Sequence, residues 1–333
     1  MTLPPRDEVL SDVHVVRLPM LVRFRGVLER EVLLLRGPAA WGEFSPFLEY
    51  DDHEASRWLA SALECAWRPP PAPVRASVPV NATVPAVPAG DVAAVLDRFL
   101  GCTTAKVKVA EPGQTLADDV SRVGEVRRLL GPSARVRVDA NGAWSVDDAL
   151  RALQALSRFD LEYAEQPCAT LGDLAGLRRS LAAQRVDVPV AADESIRKAE
   201  DPLRVAAAGS ADVVVVKVAP LGGVHAALEV AEGCGLPVVV SSALDTSVGI
   251  AAGVALAAAL PQLPFACGLG TVGLFERDVT AEPLRPVEGS LSVGSLPVTP
   301  GADRLAELAA PPERQRWWRE RLARCYDVLS SQP

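Results

Sequence analysis

Two patterns of hydrophobic and polar positions divide this chain. From about residue 77, short runs rich in β-branched residues recur between longer stretches whose apolar positions return every three or four residues, as in repeated βα units around a parallel sheet. Eight runs read as strands: SVPVNA from Ser77, TAKVKVA from Thr104, RVRVDA from Arg135, LEYAEQ from Leu161, VPVAADE from Val188, DVVVVKVA from Asp212, PVVVSS from Pro237 and PFACGLG from Pro264. Seven helical patterns lie between them, starting near Asp91, Thr115, Val146, Leu171, Ala199, Gly223 and Thr246. Eight strands in about 190 residues fit a closed barrel better than an open doubly wound sheet. A dinucleotide-binding sheet would also want a glycine-rich turn after its first strand. None occurs there, and GLGTVG follows the last strand with no helical pattern behind it.

The first 76 residues read differently. Strand-like runs (HVVRLPMLVRF, REVLLLRG), a WGEFSPF turn and a helix from about Asp52 to Ala66 lead into WRPPPAPVRASVP, a proline-rich hinge. The expected organisation is an α+β domain over residues 1–76, a barrel over 77–270, and a C-terminal segment, 271–333, that packs back on the first domain.

Composition narrows the function. A 333-residue chain with 49% hydrophobic content supports a large core, and a net charge of −8 without long like-charge blocks argues against nucleic acid or an anionic membrane as partner. The first 20 residues have no secretory pattern, so a cytoplasmic location is expected, and the apolar SVGIAAGVALAAAL is too short to span a bilayer. Six scattered cysteines suggest neither a zinc site nor a disulfide framework. Lysine occurs only at Lys106, Lys108, Lys198 and Lys217, among 34 basic residues. Where arginine is the default cation, a lysine in an apolar strand suggests a group whose proton must be movable.

In a parallel barrel, catalytic groups gather at the carboxyl ends of the strands. Asp139, Glu165 and Asp193 end three successive strands, 26 and 28 residues apart, and neighbouring strands lie about 4.8 Å from one another, so the three side chains can meet on one ion. An all-carboxylate set suits Mg²⁺ rather than zinc. Asp193 and Glu194 are adjacent and point opposite ways, so strand alternation selects whichever faces the mouth. Lys108 closes the strand before this trio and Lys217 the strand after it. Two bases flanking a Mg²⁺ suit removal of a proton α to a carboxylate, with the metal stabilising the enediolate. Lys106 and Lys108 share a strand face, and their mutual repulsion should lower the pKa of one of them. Asn141 reads either as a residue that binds a ligand or a water or as a turn residue, and Arg137 as a partner of Lys108, a substrate contact or a structural ion pair. Arg23 and Arg25 are candidate cap-loop contacts.

KVK, DANGAW, EQP, ADES and VVKVAPLGG, with WGE in the first domain, resemble the enolase superfamily in its muconate-lactonizing subgroup, over nearly the whole chain. The resemblance implies an α/β fold: a (β/α)₇β TIM-like barrel under an N-terminal α+β capping domain. It also implies Mg²⁺ held by Asp139, Glu165 and Asp193, with Asp193 rather than Glu194 as ligand, and Lys108 and Lys217 as facing acid/base groups. Within the subgroup, SSALDTSVGI is similar to the dehydratase branch acting on 2-succinyl-6-hydroxy-2,4-cyclohexadiene-1-carboxylate in menaquinone biosynthesis. There Lys108 takes the α-proton and returns it to the departing hydroxide, Lys217 stays cationic, and Lys106 tunes Lys108. Ser241, Ser242, Gly268 and Gly270 are the expected contacts of the succinyl tail. The expected partner is a small-molecule carboxylate, and the expected assembly a monomer or small homo-oligomer. The alternative is N-acylamino acid racemisation or dipeptide epimerisation on the same scaffold. No histidine ends a barrel strand, so the histidine base of the mandelate racemase branch is absent, and CGLGTVGLF lacks the DXD segment usual in dipeptide epimerases.

Overall fold

The computed structural model describes residues 3–24, 26–197, 205 and 208–331. The N-terminal part is an antiparallel meander of β1 (Val13–Phe24), β2 (Val27–Arg36) and β3 (Trp41–Phe44), preceded by a short helix, Arg6–Ser11, that the hydrophobic pattern did not disclose. Alternation along β2 buries both faces of this sheet. Leu33 and Leu35 join Phe44 against Trp58, Leu59 and Leu63 of the helix Asp52–Trp67, while Val32 and Leu34 belong to the barrel's cluster. Asp51 caps that helix by accepting from the Glu54 amide at 2.8 Å. The C-terminal helix Pro312–Ser330 completes the same core with Trp318, Leu322 and Cys325.

The barrel strands are β5 (Ala82–Val84), β6 (Thr104–Lys108), β7 (Arg135–Asp139), β8 (Leu161–Glu165), β9 (Val190–Ala192), β10 (Val213–Lys217) and β11 (Val238–Ser241), parallel and in sequence order. Two expected strands differ. SVPVNA divides into β4 (Ser77–Pro79), which pairs antiparallel with β12 (Ser290–Ser292) outside the barrel, and β5 inside it. PFACGLG forms no ladder. It closes the barrel through single contacts, Cys267 N to Pro79 O at 2.7 Å and Gly268 N to Val240 O at 2.8 Å. Gly268 passes so near β11 that a Cβ there would lie 2.4 Å from Ser241 Oγ, so a larger residue would require the Ser241 side chain to move.

Thr115, Ser145, Thr170 and Thr246 each cap the helix that follows them. The helix expected near Asp91 is only Val92–Leu96, and the one expected near Ala199 lies outside the described residues. Val107, Val136 and Val138 face outward onto Val123, Leu153 and Leu177 of the surrounding helices in one core. Tyr163, Ala191, Val213, Val215 and Val239, with Phe265, fill the inside. Among the described residues no helix is long and apolar enough to cross a membrane, and the six cysteines are unbridged.

Candidate active site

Period-two alternation places the site. The inward positions that carry Tyr163 on β8 and Val215 on β10 lead, one step up each strand, to Glu165 and Lys217. Register levels the neighbours: Lys108 lies opposite Asp139, Asp139 opposite Glu165, and Lys217 opposite Ser241. Six charged groups therefore meet at the barrel mouth. Asp139, Glu165 and Asp193 are 3, 1 and 0% exposed, and Lys106, Lys108 and Lys217 are 7% exposed each.

Burial of this much charge demands pairing. Lys106 Nζ donates to Glu165 Oε1 at 2.5 Å and lies 3.3 Å from Asp139 Oδ2. Lys108 Nζ donates to Asp139 Oδ2 at 2.7 Å and to Asn141 Oδ1. Lys217 Nζ donates to Asp193 Oδ2. Asp193 and its neighbour thus serve different partners, because Glu194 Oε1 accepts from Asn141 Nδ2 at 3.1 Å. Asn141, at φ +47°, holds Lys108 on one side and Glu194 on the other.

The same contacts set the protonation states. Burial, with Lys106 adding its repulsion, outweighs Asp139 and lowers the Lys108 pKa below the ordinary lysine value. Burial works the same way on Lys106, but Glu165 and Asp139 overcome it and raise that pKa. Asp139 is held well below the usual carboxylate range, since Lys108 and Lys106 outweigh its desolvation. Burial pushes Glu165 up to about 7, and the nearby Asp139 and Asp193 carboxylates act in the same direction against Lys106.

Lys106, Lys108, Asp139 and Lys217 line a narrow cavity together with Asn141, Ser241, Ser242 and Gly268. Ser242 Oγ donates to Gly268 O at 2.7 Å and meets Thr271 Oγ1 at 2.9 Å. Gly270 does not line the cavity. Its open side faces the Phe99 ring and the Asn81 carbonyl, so it serves packing. Arg137 also stays out of the cavity, one layer deeper, where it donates to Glu162, to Asn81 Oδ1 at 3.1 Å and to Ala266 O at 2.7 Å. Arg23 is exposed and Arg25 lies outside the described residues, as does Lys198. Other lining residues went unforeseen: Phe24 and Phe47 from the capping domain, Thr83 from β5, and Ala243, Leu244 and Thr271. The two phenylalanines had one visible signal, as aromatic residues at the end of a strand and in a cap turn beside the proline of SPF.

Residues 91–302 match the family described as Enolase C-terminal domain-like, and residues 15–66 match Enolase N-terminal domain-like. This chain belongs to the enolase superfamily. Among curated relatives, the o-succinylbenzoate synthase of Mycobacterium tuberculosis H37Rv is 58% identical over 328 residues, 98% of this chain and 97% of that protein. The enzyme of the same name from Mycolicibacterium smegmatis is also 58% identical, over 98% of this chain and 99% of its own length. Muconate lactonizing enzyme from Pseudomonas putida superposes with a TM-score of 0.72 at 25% identity, over 90% of this chain and 98% of that one.

Enolase-superfamily enzymes of this kind are metal-dependent, and the residues here fit an ion. Among the described residues no three carboxylates converge on one point, because each is turned toward a lysine. The donors are nevertheless all oxygen, buried, and set on adjacent strand ends. An all-oxygen donor set of this kind suits a hard cation.

Proposed function

We propose that this chain is an o-succinylbenzoate synthase, a lyase that removes water from 2-succinyl-6-hydroxy-2,4-cyclohexadiene-1-carboxylate to give 2-succinylbenzoate. One observation carries this reading: Lys108 from β6 and Lys217 from β10, held by different carboxylates, line one cavity in a chain 58% identical to enzymes of that name along nearly its whole length.

Neutral Lys108 takes the ring proton α to the substrate carboxylate; its lowered pKa makes the neutral form more accessible than in an ordinary lysine, and Asn141 and Asp139 orient its Nζ. The resulting ammonium then gives that proton to the ring hydroxyl as the carbon–oxygen bond breaks. Water leaves, the ring becomes aromatic and Lys108 is neutral again. Lys217, held by Asp193, remains a cation beside the delocalised anion. Asp139, Glu165 and Asp193 would hold Mg²⁺, which when bound would supply positive charge to offset the negative charge that builds up on the substrate carboxylate. Ser241, Ser242 and the Gly268 backbone face the succinyl tail together with Phe47 and Leu244, and Phe24, whose ring centre lies 5.3 Å from Lys108 Nζ, closes over the ring.

The test is the loss of cyclohexadiene absorbance with the purified chain, its abolition by EDTA and its return with Mg²⁺. A second reading, α-proton exchange on N-acylamino acids, is favoured by the same pair of lysines, since racemisation needs a base on each face. Exchange of N-succinyl amino acids in D₂O without any dehydration would replace the first reading by the second.

A further inference from the structure

One side chain of the capping domain touches cavity walls from both domains. Arg30 on β2 is 4% exposed, although Leu28 and Glu29 before it face solvent. Its Nε donates to the Leu244 carbonyl at 3.3 Å and its Nη2 to the Ser45 carbonyl, while the guanidinium carbon sits 4.3 Å from the centre of the Phe47 ring. Phe47, from the cap, and Leu244, from the turn after β11, both line the cavity that holds Lys108 and Lys217.

The turn needs such support. Leu244 sits at φ +66°, a left-handed conformation that a leucine keeps only when its surroundings impose it. Further ties across the domain boundary come from Glu43, which accepts from the Thr246 amide at 3.1 Å, the Thr246 hydroxyl at 2.6 Å and the Gly249 amide at 3.0 Å. Within the turn, Asp245 accepts from the Ala243 amide at 3.0 Å. The charge of Arg30 acts on both of these buried carboxyls, opposing the burial that raises their pKa values.

We propose that Arg30 is a positioning residue that fixes Phe47 and Leu244, one from each domain, as a single wall for the non-reacting part of the substrate. A guanidinium suits the task because its forked edge serves two carbonyls while its face stacks on a ring; an ammonium offers no such plane. Lys108 and Lys217 stand on barrel strands with their own partners, so loosening this wall weakens binding and leaves proton transfer in place. The assay rests on the dehydratase reading, whereas the binding measurement does not.

The variants are Arg30→Met, Arg30→Lys and Leu244→Ala, with Arg314→Met as a control that removes another cap guanidinium, the partner of Glu31, away from the cavity. Arg30→Met is expected to raise KM for the cyclohexadiene substrate, and Kd for 2-succinylbenzoate by calorimetry, tenfold or more, with kcat within threefold. Arg30→Lys should fall between it and the parent, and Leu244→Ala should raise KM similarly. Arg314→Met should lower the melting temperature and leave KM and Kd unchanged. An unchanged KM and Kd in Arg30→Met, or a loss confined to kcat, overturns the proposal. Should Arg30→Met not fold, an unchanged Kd in Arg30→Lys or an unchanged KM in Leu244→Ala overturns it equally. Absence of dehydration in the parent protein, with 2-succinylbenzoate binding still weakened by Arg30→Met, would sink the assigned reaction and leave the role of Arg30 standing.

Discussion

Strand β7 carries two inward charges two residues apart, Arg137 and Asp139, and they belong to different worlds. Around Arg137 the contacts come from a packed interior: Glu162, Asn81 and Ala266 accept from its Nε and Nη1, and its guanidinium carbon lies 4.7 Å from the Tyr163 ring centre and 5.7 Å from that of Phe265. Around Asp139 the cations are Lys106 and Lys108, single ammonium groups on flexible stems beside a cavity. The barrel uses arginine where a buried charge must stay and, at Lys108, a lysine where a proton must come and go. The lower layer is a fastening, and the upper one is machinery.

The sharpest way to break this contrast is to exchange the cations. Lys108→Arg keeps a charge but removes the movable proton, so dehydration should fall by about 10³-fold or more in a protein that still folds, read by kcat and circular dichroism. A variant with activity within tenfold of the parent would end the base assignment. Arg137→Met should do the reverse. It leaves Glu162 without its buried partner and should cost about 3 kcal/mol in urea unfolding, with kcat changed far less than in Lys108→Arg.

Smaller effects sharpen the electrostatics. Lys106 repels the charged form of Lys108, so Lys106→Met should move the Lys108 pKa upward. Because the neutral amine is the active form, the rising limb of kcat/KM against pH should then shift to higher pH; a shift to lower pH would contradict the tuning role. At the domain boundary, burial and the neighbouring Asp245 push Glu43 up to about 8 from an ordinary 4.5. Between those values the folded chain holds a proton that the unfolded chain has lost, so folding stability declines as pH rises through that window. Glu43→Gln should flatten that decline in denaturant titrations at pH 5, 6.5 and 8, and an unaltered slope would assign it to another group.

The upper layer was legible in the sequence because alternation and strand ends are local facts. Lys108, Asp139, Glu165 and Lys217 each close a strand whose apolar pattern marks it, and Thr115, Ser145, Thr170 and Thr246 mark helix starts by their chemistry. Residues placed by distant packing were not. Phe24, Phe47 and Arg30 reach the cavity only because the capping sheet docks on the barrel, and no spacing within a single segment records that docking. PFACGLG looked like a strand by composition, yet its glycines serve close approach rather than a ladder. Gly270 was misplaced for the same reason, since the glycine signal says that something comes near without saying what.

The C-terminal helix bears on how the molecule is made. Trp318 donates to Glu31 of β2 at 2.9 Å, Arg314 pairs with the same carboxylate, and Leu322 and Cys325 fill the core beside Trp58. The capping domain is therefore built from both ends of the chain, with the barrel inserted between them. On a ribosome the barrel can assemble first, but the core of its cap stays short of a wall until the stretch around residue 325 has emerged. Removing that stretch would open the core beside Trp58 on the side that Trp318 and Leu322 cover.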